Sequence, residues 1–311
     1  SKDFKEIKGD ASLRKFYRNT KKNSIIIFAN KKKNRNLLTY DAINKILIRN
    51  KIIAPKLISE NYNKNYIEVQ DLGNKTIYQT FVSNNLENYF VFKKVIKVLN
   101  KMQLIKDKKV KNFRKNFYKI KEYENKILLD EVKLFSNWYV PKKLTKNKIN
   151  VFNYKFIKEV KLLLSKLKLK NDTFVHRDFH VSNLIINSEN QIGLIDNQDA
   201  LIGNKAYDLA SLIDDVRYKT SNTLKDKIYK YYLTTNKKIE VNKFKNDFDI
   251  LSVLRNLKII GIFMRLAERD KKKKYLKLIP YAWNMINNRM SKNKDLINLK
   301  LLLATNFPKF I

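Results

Sequence analysis

Two short β-rich runs, Leu184-Ile185-Ile186 and Ile192-Gly193-Leu194-Ile195, are joined by Asn187-Ser188-Glu189-Asn190, residues that favour a turn. The pattern predicts a hairpin. Antiparallel pairing returns the chain, so whatever stands at the two open ends of a hairpin is set side by side. Polar residues crowd both ends here. His176-Arg177-Asp178-Phe179-His180-Val181-Ser182-Asn183 leads into the first run, and Asp196 closes the second.

The rest of the chain patterns differently on either side of Asp71-Leu72-Gly73. Before it, residues 1 to 70 read as strands with one helix: Ser24 to Ala29 and Tyr66 to Gln70 are β-rich, and Leu38 to Asn50 has apolar residues near helical spacing. After it, helix dominates. Tyr89 to Leu104 places Phe92, Val95, Ile96, Leu99 and Met102 on one stripe, and Phe152 to Leu167 does the same with Phe156, Ile157, Val160, Leu163, Leu164 and Leu167. One non-helical island, Phe174 to Ala200, interrupts this part. With only 5 Gly and 4 Pro there is no flexible linker. The expected class is α+β in two lobes, a small β-rich one over 1–70 and a larger, mainly helical one over 71–311, hinged at about residues 69–73.

A formal net charge of +38 on 311 residues would suit a disordered polycation, but 44% of the chain is hydrophobic and 12% aromatic, enough for a core. The basic residues are spread along the chain, and Lys outnumbers Arg, whereas reading bases favours the bidentate Arg fork. Solvated faces are expected rather than nucleic-acid binding, with a general attraction for anionic ligands such as nucleotides. The absence of Cys excludes a disulfide scaffold, a thiolate metal site and a Cys nucleophile. Ser1-Lys2-Asp3-Phe4-Lys5 opens no apolar stretch of signal-peptide length, and no window approaches the roughly 18 apolar residues of a membrane span. A cytoplasmic protein without membrane contact is expected.

Moving a phosphoryl group from a nucleoside triphosphate needs a carboxylate that orients the attacking hydroxyl and accepts its proton. It also needs oxygen ligands for the Mg²⁺ that neutralises the phosphates. Asp178, ahead of the hairpin, suits the first task. Asn183 and Asp196, at the two ends, suit the second. His176 and Arg177 support the loop, while His180 either faces substrate or fills a structural place. The alternative is that Asp178 and Asn183 cap turns and Asp196 pairs with a lysine. Gly9-Asp10-Ala11-Ser12 forms a small-residue turn whose N–H groups suit phosphates. Gln70-Asp71-Leu72, at the hinge, presents backbone donors and acceptors to an adenine edge. Asp208 opens an amphipathic helix.

The spacing of Asp178, Asn183 and Asp196 resembles the protein-kinase catalytic loop and its metal-binding Asp. Several further segments carry the likeness: Gly9-Asp10-Ala11-Ser12 with Arg14 and Tyr17, Asp71-Leu72-Gly73, Glu131 with Trp138-Tyr139, Ile195-Asp196-Asn197-Gln198-Asp199-Ala200, Tyr207-Asp208-Leu209, and Gly261-Ile262-Phe263. Together they resemble the aminoglycoside phosphotransferase-like kinase superfamily, and more narrowly its bacterial cell-wall amino-sugar kinases, which phosphorylate N-acetylmuramate and N-acetylglucosamine at the anomeric hydroxyl. The resemblance implies a protein-kinase-like fold, ATP, Mg²⁺ and a small hydroxylated acceptor, an amino sugar, held by the helical lobe. It implies that Asp208 takes backbone N–H bonds from the catalytic loop, and that Glu131, Trp138 and Tyr139, with His180 and Asp199, lie near the acceptor.

Three positions depart from the family pattern. Asn197 replaces the usual aromatic after the metal-binding Asp. No Lys ends the Ser24 to Ala29 strand to grip the α- and β-phosphates, leaving Lys31, Lys32 or Lys33 as substitutes. The following helix offers Asp41 or Asn44 in place of the Glu that pairs with that Lys. Other readings are an aminoglycoside or choline-like kinase, a nucleotide-binding pseudokinase, and a nucleic-acid binder.

Overall fold

The computed structural model describes residues 3–7, 14–83 and 88–311. The chain divides into two compact units, Ser1–Lys121 with Phe174–Ile202, and Glu122–Thr173 with Gly203–Ile311.

In the first unit, β1 (Phe4–Ile7), β2 (Lys15–Asn19), β3 (Ser24–Phe28), β4 (Leu57–Asn61) and β5 (Tyr66–Gln70) form an antiparallel sheet in the order β1-β2-β3-β5-β4. The three consecutive isoleucines of β3 favour an extended backbone because β-branching restricts χ1. Register pairs Ile27 with Ile67, and both are buried. Their shared face packs with Leu37 and Tyr40 of α1 (Arg35–Arg49), a helix that buries Leu37, Tyr40, Ile43, Ile46 and Leu47 at helical spacing.

α2 (Ile77–Ser83) and α3 (Asn88–Gln103) follow, and α3 buries the expected stripe of Phe92, Val95, Ile96, Leu99 and Met102. A hairpin of β6 (Lys109–Lys111) and β7 (Phe117–Lys119) comes next, so the island at Phe174 to Ala200 does not stand alone as expected. These strands have three residues each, and only Val110 is buried in the first, too brief an alternation to stand out in sequence. The Asn112 side chain builds the turn, accepting the N–H of Arg114 at 3.0 Å and of Asn116 at 3.2 Å.

β8 (Asn171–Val175) leads to the loop that precedes the predicted hairpin, formed by β9 (Leu184–Ile186) and β10 (Ile192–Leu194). Asn190 turns it with a left-handed φ of 57°. Gly193 lets the hairpin approach its neighbours: a Cβ there would stand 3.0 Å from Leu72 Cδ1 and 3.1 Å from Ile53 Cγ2. The Leu194 N–H completes that contact by donating to the Ile53 carbonyl at 2.8 Å.

After β11 (Leu201–Asn204) the chain enters the second unit, built from α4 (Asn125–Leu134), α5 (Lys146–Ser165), α6 (Ala206–Ile213), α7 (Asn222–Thr235), α8 (Val241–Glu268), α9 (Ile279–Met290) and α10 (Ile297–Asn306). Gly261 of α8 meets the end of α4, where a Cβ would fall on the Leu134 carbonyl, so only glycine permits this backbone contact. A wider π-type turn over Phe135–Tyr139 continues α4 and delivers Phe135 and Tyr139 into an aromatic cluster with Trp283 and Phe307. Buried ions tie the remaining helices. Asp214 accepts from Arg289 Nε at 2.7 Å, Ser252 Oγ at 2.6 Å and Lys225 Nζ at 3.1 Å. Among the described residues, no helix is long and apolar enough to cross a membrane.

Candidate active site

The backbone of Asp178 is held from both sides. Its N–H donates to His176 Nδ1 at 3.3 Å, and its carbonyl accepts from Asn183 Nδ2 at 3.0 Å and from the His180 N–H at 3.1 Å. An Nδ1 that accepts leaves the imidazole proton on Nε2, and Nε2 donates to Asn197 Oδ1 at 2.8 Å and to the Ile195 carbonyl at 3.2 Å. The hairpin closes the circuit, because the Ile195 N–H donates to the Asn183 carbonyl at 3.1 Å. Asp178, Asn183 and the residue before Asp196 are thus joined through His176 and one strand pair.

Two backbones here are strained. Arg177 has a φ of 75° and Asp196 a φ of 63°, a region costly for side chains other than glycine. Arg177 is anchored by Nη1, which donates to the Asp199 carbonyl at 3.1 Å. The Asp196 carboxylate is 39% exposed and pairs with Arg14 Nη2 at 2.6 Å. It also accepts from Gln198 Nε2 at 3.2 Å.

Asn197 stands where the family pattern has an aromatic. The structure shows a buried polar chain instead. Asn197 Nδ2 donates to Asn44 Oδ1 at 2.8 Å and to the Leu194 carbonyl at 3.1 Å, and Asn44 Nδ2 donates to the Pro55 carbonyl at 3.0 Å. Tyr40 also hydrogen-bonds Asn44, and burial pushes its phenol up to about 12, so the hydroxyl keeps its proton at neutral pH. Asn44 therefore serves Asn197 rather than a strand lysine. Asp41, the other helix candidate, pairs with Lys45 at 2.8 Å.

The hinge segment is clamped through its acid. Asp71 accepts from Arg18 Nε at 2.5 Å and from the Gly73 N–H at 2.9 Å, and Arg18 Nη2 reaches the Gly73 carbonyl at 3.0 Å. The backbone beside it is engaged as well, since the Gln70 N–H donates to the Lys56 carbonyl at 2.8 Å and the Asp71 N–H to the Asn23 carbonyl at 3.3 Å. Gly9, Asp10, Ala11 and Ser12 lie outside the described residues. Lys31 and Lys32 are exposed in a short turn capped by Asn30, and the side chain of Lys33 lies outside the described set. His180 is buried, with Nε2 3.4 Å from Asn183 Nδ2, and Asp199 is exposed.

The candidates in the second unit have defined surroundings. Glu131 pairs with Lys258 at 3.0 Å and accepts from the Tyr123 hydroxyl. Trp138 is half-buried. Tyr139 is fully buried, and its hydroxyl accepts from Trp283 Nε1 at 3.2 Å, which makes it a packing residue of the aromatic cluster. Asp208 is buried in the first turn of α6, a helix whose opening N–H, on Ala206, is capped by Asn204 Oδ1 at 3.0 Å. Sequence reading passed over Asp247 of α8, which is buried and accepts the N–H groups of Lys168 and Leu169, each at 2.8 Å, and Asn204 Nδ2 at 2.7 Å. Asp247 lies early in α8, with Lys243 four residues before it, so in sequence it patterns as an ordinary solvated helix acid and only its distant partners reveal it.

Among the described residues no group of three His, Asp or Glu side chains is placed to hold a metal alone. The donors present nevertheless fit magnesium. Mg²⁺ favours oxygen, keeps several waters and takes one or two protein ligands with phosphates completing the shell. Asp196 supplies a carboxylate. Asn183 spends its amide nitrogen on the Asp178 carbonyl and so keeps its amide oxygen for a cation.

Comparison with known proteins agrees with this chemistry. The family described as the Phosphotransferase enzyme family matches residues 3–239. N-acetylmuramate/N-acetylglucosamine kinases of Pseudomonas putida and Neisseria meningitidis are each 26% identical over 306 residues, spanning 95% of this chain and 86% and 88% of theirs. Among solved structures, choline kinase LicA from Streptococcus pneumoniae aligns with a TM-score of 0.64 at 13% identity, covering 92% of this chain and 93% of that one. ADP-bound aminoglycoside phosphotransferase APH(2'')-Ib aligns with a TM-score of 0.58 at 15% identity, covering 91% and 94%. The structural likenesses establish a protein-kinase-like fold. The family match extends over most of the sequence, including the loop and hairpin that carry Asp178, Asn183 and Asp196, so the chain belongs to the phosphotransferase enzyme family and is an ATP-dependent kinase.

Proposed function

We propose that this kinase phosphorylates the anomeric hydroxyl of an amino sugar, N-acetylmuramate or N-acetylglucosamine, in cell-wall sugar recycling. The observation that carries the catalytic assignment is the circuit joining Asp178, His176, Asn183 and Ile195 at one end of one hairpin. The acceptor class rests on the two amino-sugar kinase relatives, which match almost the whole chain.

In this reading Asp178 accepts a hydrogen bond from the attacking hydroxyl and takes its proton as transfer proceeds. An anomeric hydroxyl is more acidic than an ordinary alcohol, which eases its deprotonation by a carboxylate base. Asn183 and Asp196 hold the cation through oxygen. Magnesium, when bound, neutralises the charge of the β- and γ-phosphates. His176 and Arg177 keep the loop in its strained conformation. The turn at Gly9 to Ser12 cradles phosphates through its N–H groups, and Gln70 to Leu72 meet the adenine edge. Residues 1–70 then act as the nucleotide lobe and 71–311 as the catalytic and acceptor lobe.

A kinase for aminoglycosides or choline is the second reading, favoured by the solved structures that share the fold. Incubating the protein with ATP, Mg²⁺ and N-acetylmuramate, N-acetylglucosamine, an aminoglycoside or choline separates the two. The proposal requires the highest kcat/KM on an amino sugar, with phosphate on the anomeric oxygen. Preference for an aminoglycoside or choline would replace it.

A further inference from the structure

β3 ends at Phe28 without the lysine that grips phosphates in related kinases, and the first unit holds another cation in its place. The β2–β3 register ends with Lys15 paired to Phe28, and Arg14 and Ala29 are the residues just beyond that last pair. Arg14 points into the site. Its Nη2 lies 2.6 Å from Asp196 Oδ1, and its guanidinium stands 5.6 Å from the Phe16 ring centre and 6.0 Å from that of Tyr40. Two aromatic rings and a carboxylate orient the fork, which leaves its side chain only 10% exposed.

Other cations are less suited. Lys31 and Lys32 are exposed on a turn, and Lys45 pairs with Asp41. The helix side offers no Glu for a lysine either: Asn44 bonds Asn197, Asp41 pairs with Lys45, and Tyr40 flanks Arg14.

We infer that Arg14 is the phosphate-gripping cation of this kinase and that, without nucleotide, it rests on Asp196 as that carboxylate's counter-charge. The inference builds on the proposed phosphotransferase site. A guanidinium suits the task because its planar fork binds two phosphate oxygens at once and keeps its charge at every working pH. Arg14 and the catalytic cation share one carboxylate. Nucleotide loading therefore moves Arg14 from Asp196 to the α- and β-phosphates, from one anion to another, and frees the Asp196 carboxylate for a cation.

The test compares binding of ATP with binding of adenosine, by calorimetry without magnesium, in wild type, Arg14→Ala, Arg14→Lys and the Lys31→Ala/Lys32→Ala double variant. Arg14→Ala should weaken ATP at least tenfold and change adenosine less than twofold. Arg14→Lys should recover part of the loss, and the double lysine variant should bind ATP as wild type does. Should Arg14→Ala fail to fold, Arg14→Gln and Arg14→Lys read the same contrast. Unchanged ATP binding in the Arg14 variants, an equal loss for ATP and adenosine, or a loss confined to the lysine variant would overturn the inference. Wild type that neither binds ATP nor transfers phosphate would instead overturn the kinase site itself.

Discussion

Replacing Asn197 with leucine removes three buried hydrogen bonds without opening a cavity, because leucine keeps the branched four-atom skeleton and its methyls are larger than the amide atoms they replace. The amide accepts from His176 and donates to Asn44 and to the Leu194 carbonyl. A buried bond contributes about 1 kcal/mol net, and a group left without a partner costs up to about 3. His176 keeps the Ile195 carbonyl and Asn44 keeps the Tyr40 hydroxyl, so the lower figure applies and the sum is about 3 kcal/mol. Hydrogen exchange read by mass spectrometry over residues 174–200 measures the loss where it occurs. Tryptophan fluorescence would not, since Trp138 and Trp283 both belong to the second unit. Exchange in that segment should quicken about 100-fold, at about 1.4 kcal/mol per factor of ten, with α8 unaffected. Asn44→Leu should also destabilise the segment. The double variant should fall short of the summed losses by about 1 to 2 kcal/mol, because the two amides share a bond. Unchanged exchange in Asn197→Leu, or strict additivity in the double variant, would refute the polar chain as a structural unit.

Gly261→Ala should destabilise the second unit by about 3 kcal/mol, since the new methyl meets the Leu134 backbone, which cannot rotate away; a thermal midpoint equal to wild type would contradict the close crossing. For Asp214, burial alone would raise the pKa, but Arg289 and Lys225 outweigh it and hold the carboxyl far below its usual range. A depressed folded pKa means that the stabilisation is complete above the ordinary carboxylate value near about 3.9 and drains away as pH falls through the folded value. Asp214→Asn should therefore cost about 3 to 5 kcal/mol near neutral pH and show a shallower loss on acidification than wild type. Thermal unfolding across that range checks both, and parallel acid limbs would show that Asp214 does not carry the effect. Asp71→Ala frees Arg18 and unties Gly73, and it should raise KM for ATP with a smaller change in kcat, which initial rates will show.

The elements that can be read from sequence are those whose signal is local. β5 runs over Tyr66–Gln70 as its alternation indicates, and the catalytic hairpin forms where turn residues separate two apolar runs. Asp178, Asn183 and Asp196 stand out because a hairpin converts spacing in the chain into proximity. The less visible features depend on partners far apart in sequence. Nothing near Asn197 announces Asn44, 153 positions away, and an asparagine read alone looks like a loosened aromatic site. Arg14 and Asp196 are separated by 182 positions, and their pairing follows only once strand register and hairpin are both known. Gly261 patterns as an ordinary weak point in a helix until the backbone of Leu134 lies against it.

Single-turnover transfer from labelled ATP to N-acetylmuramate, in wild type and Asp178→Asn, tests the central claim most directly. Loss of the base should lower the transfer rate by about 10² to 10⁴ while ATP affinity stays within a few-fold, with wild type placing the label on the anomeric oxygen. Transfer at the wild-type rate by Asp178→Asn would contradict the account.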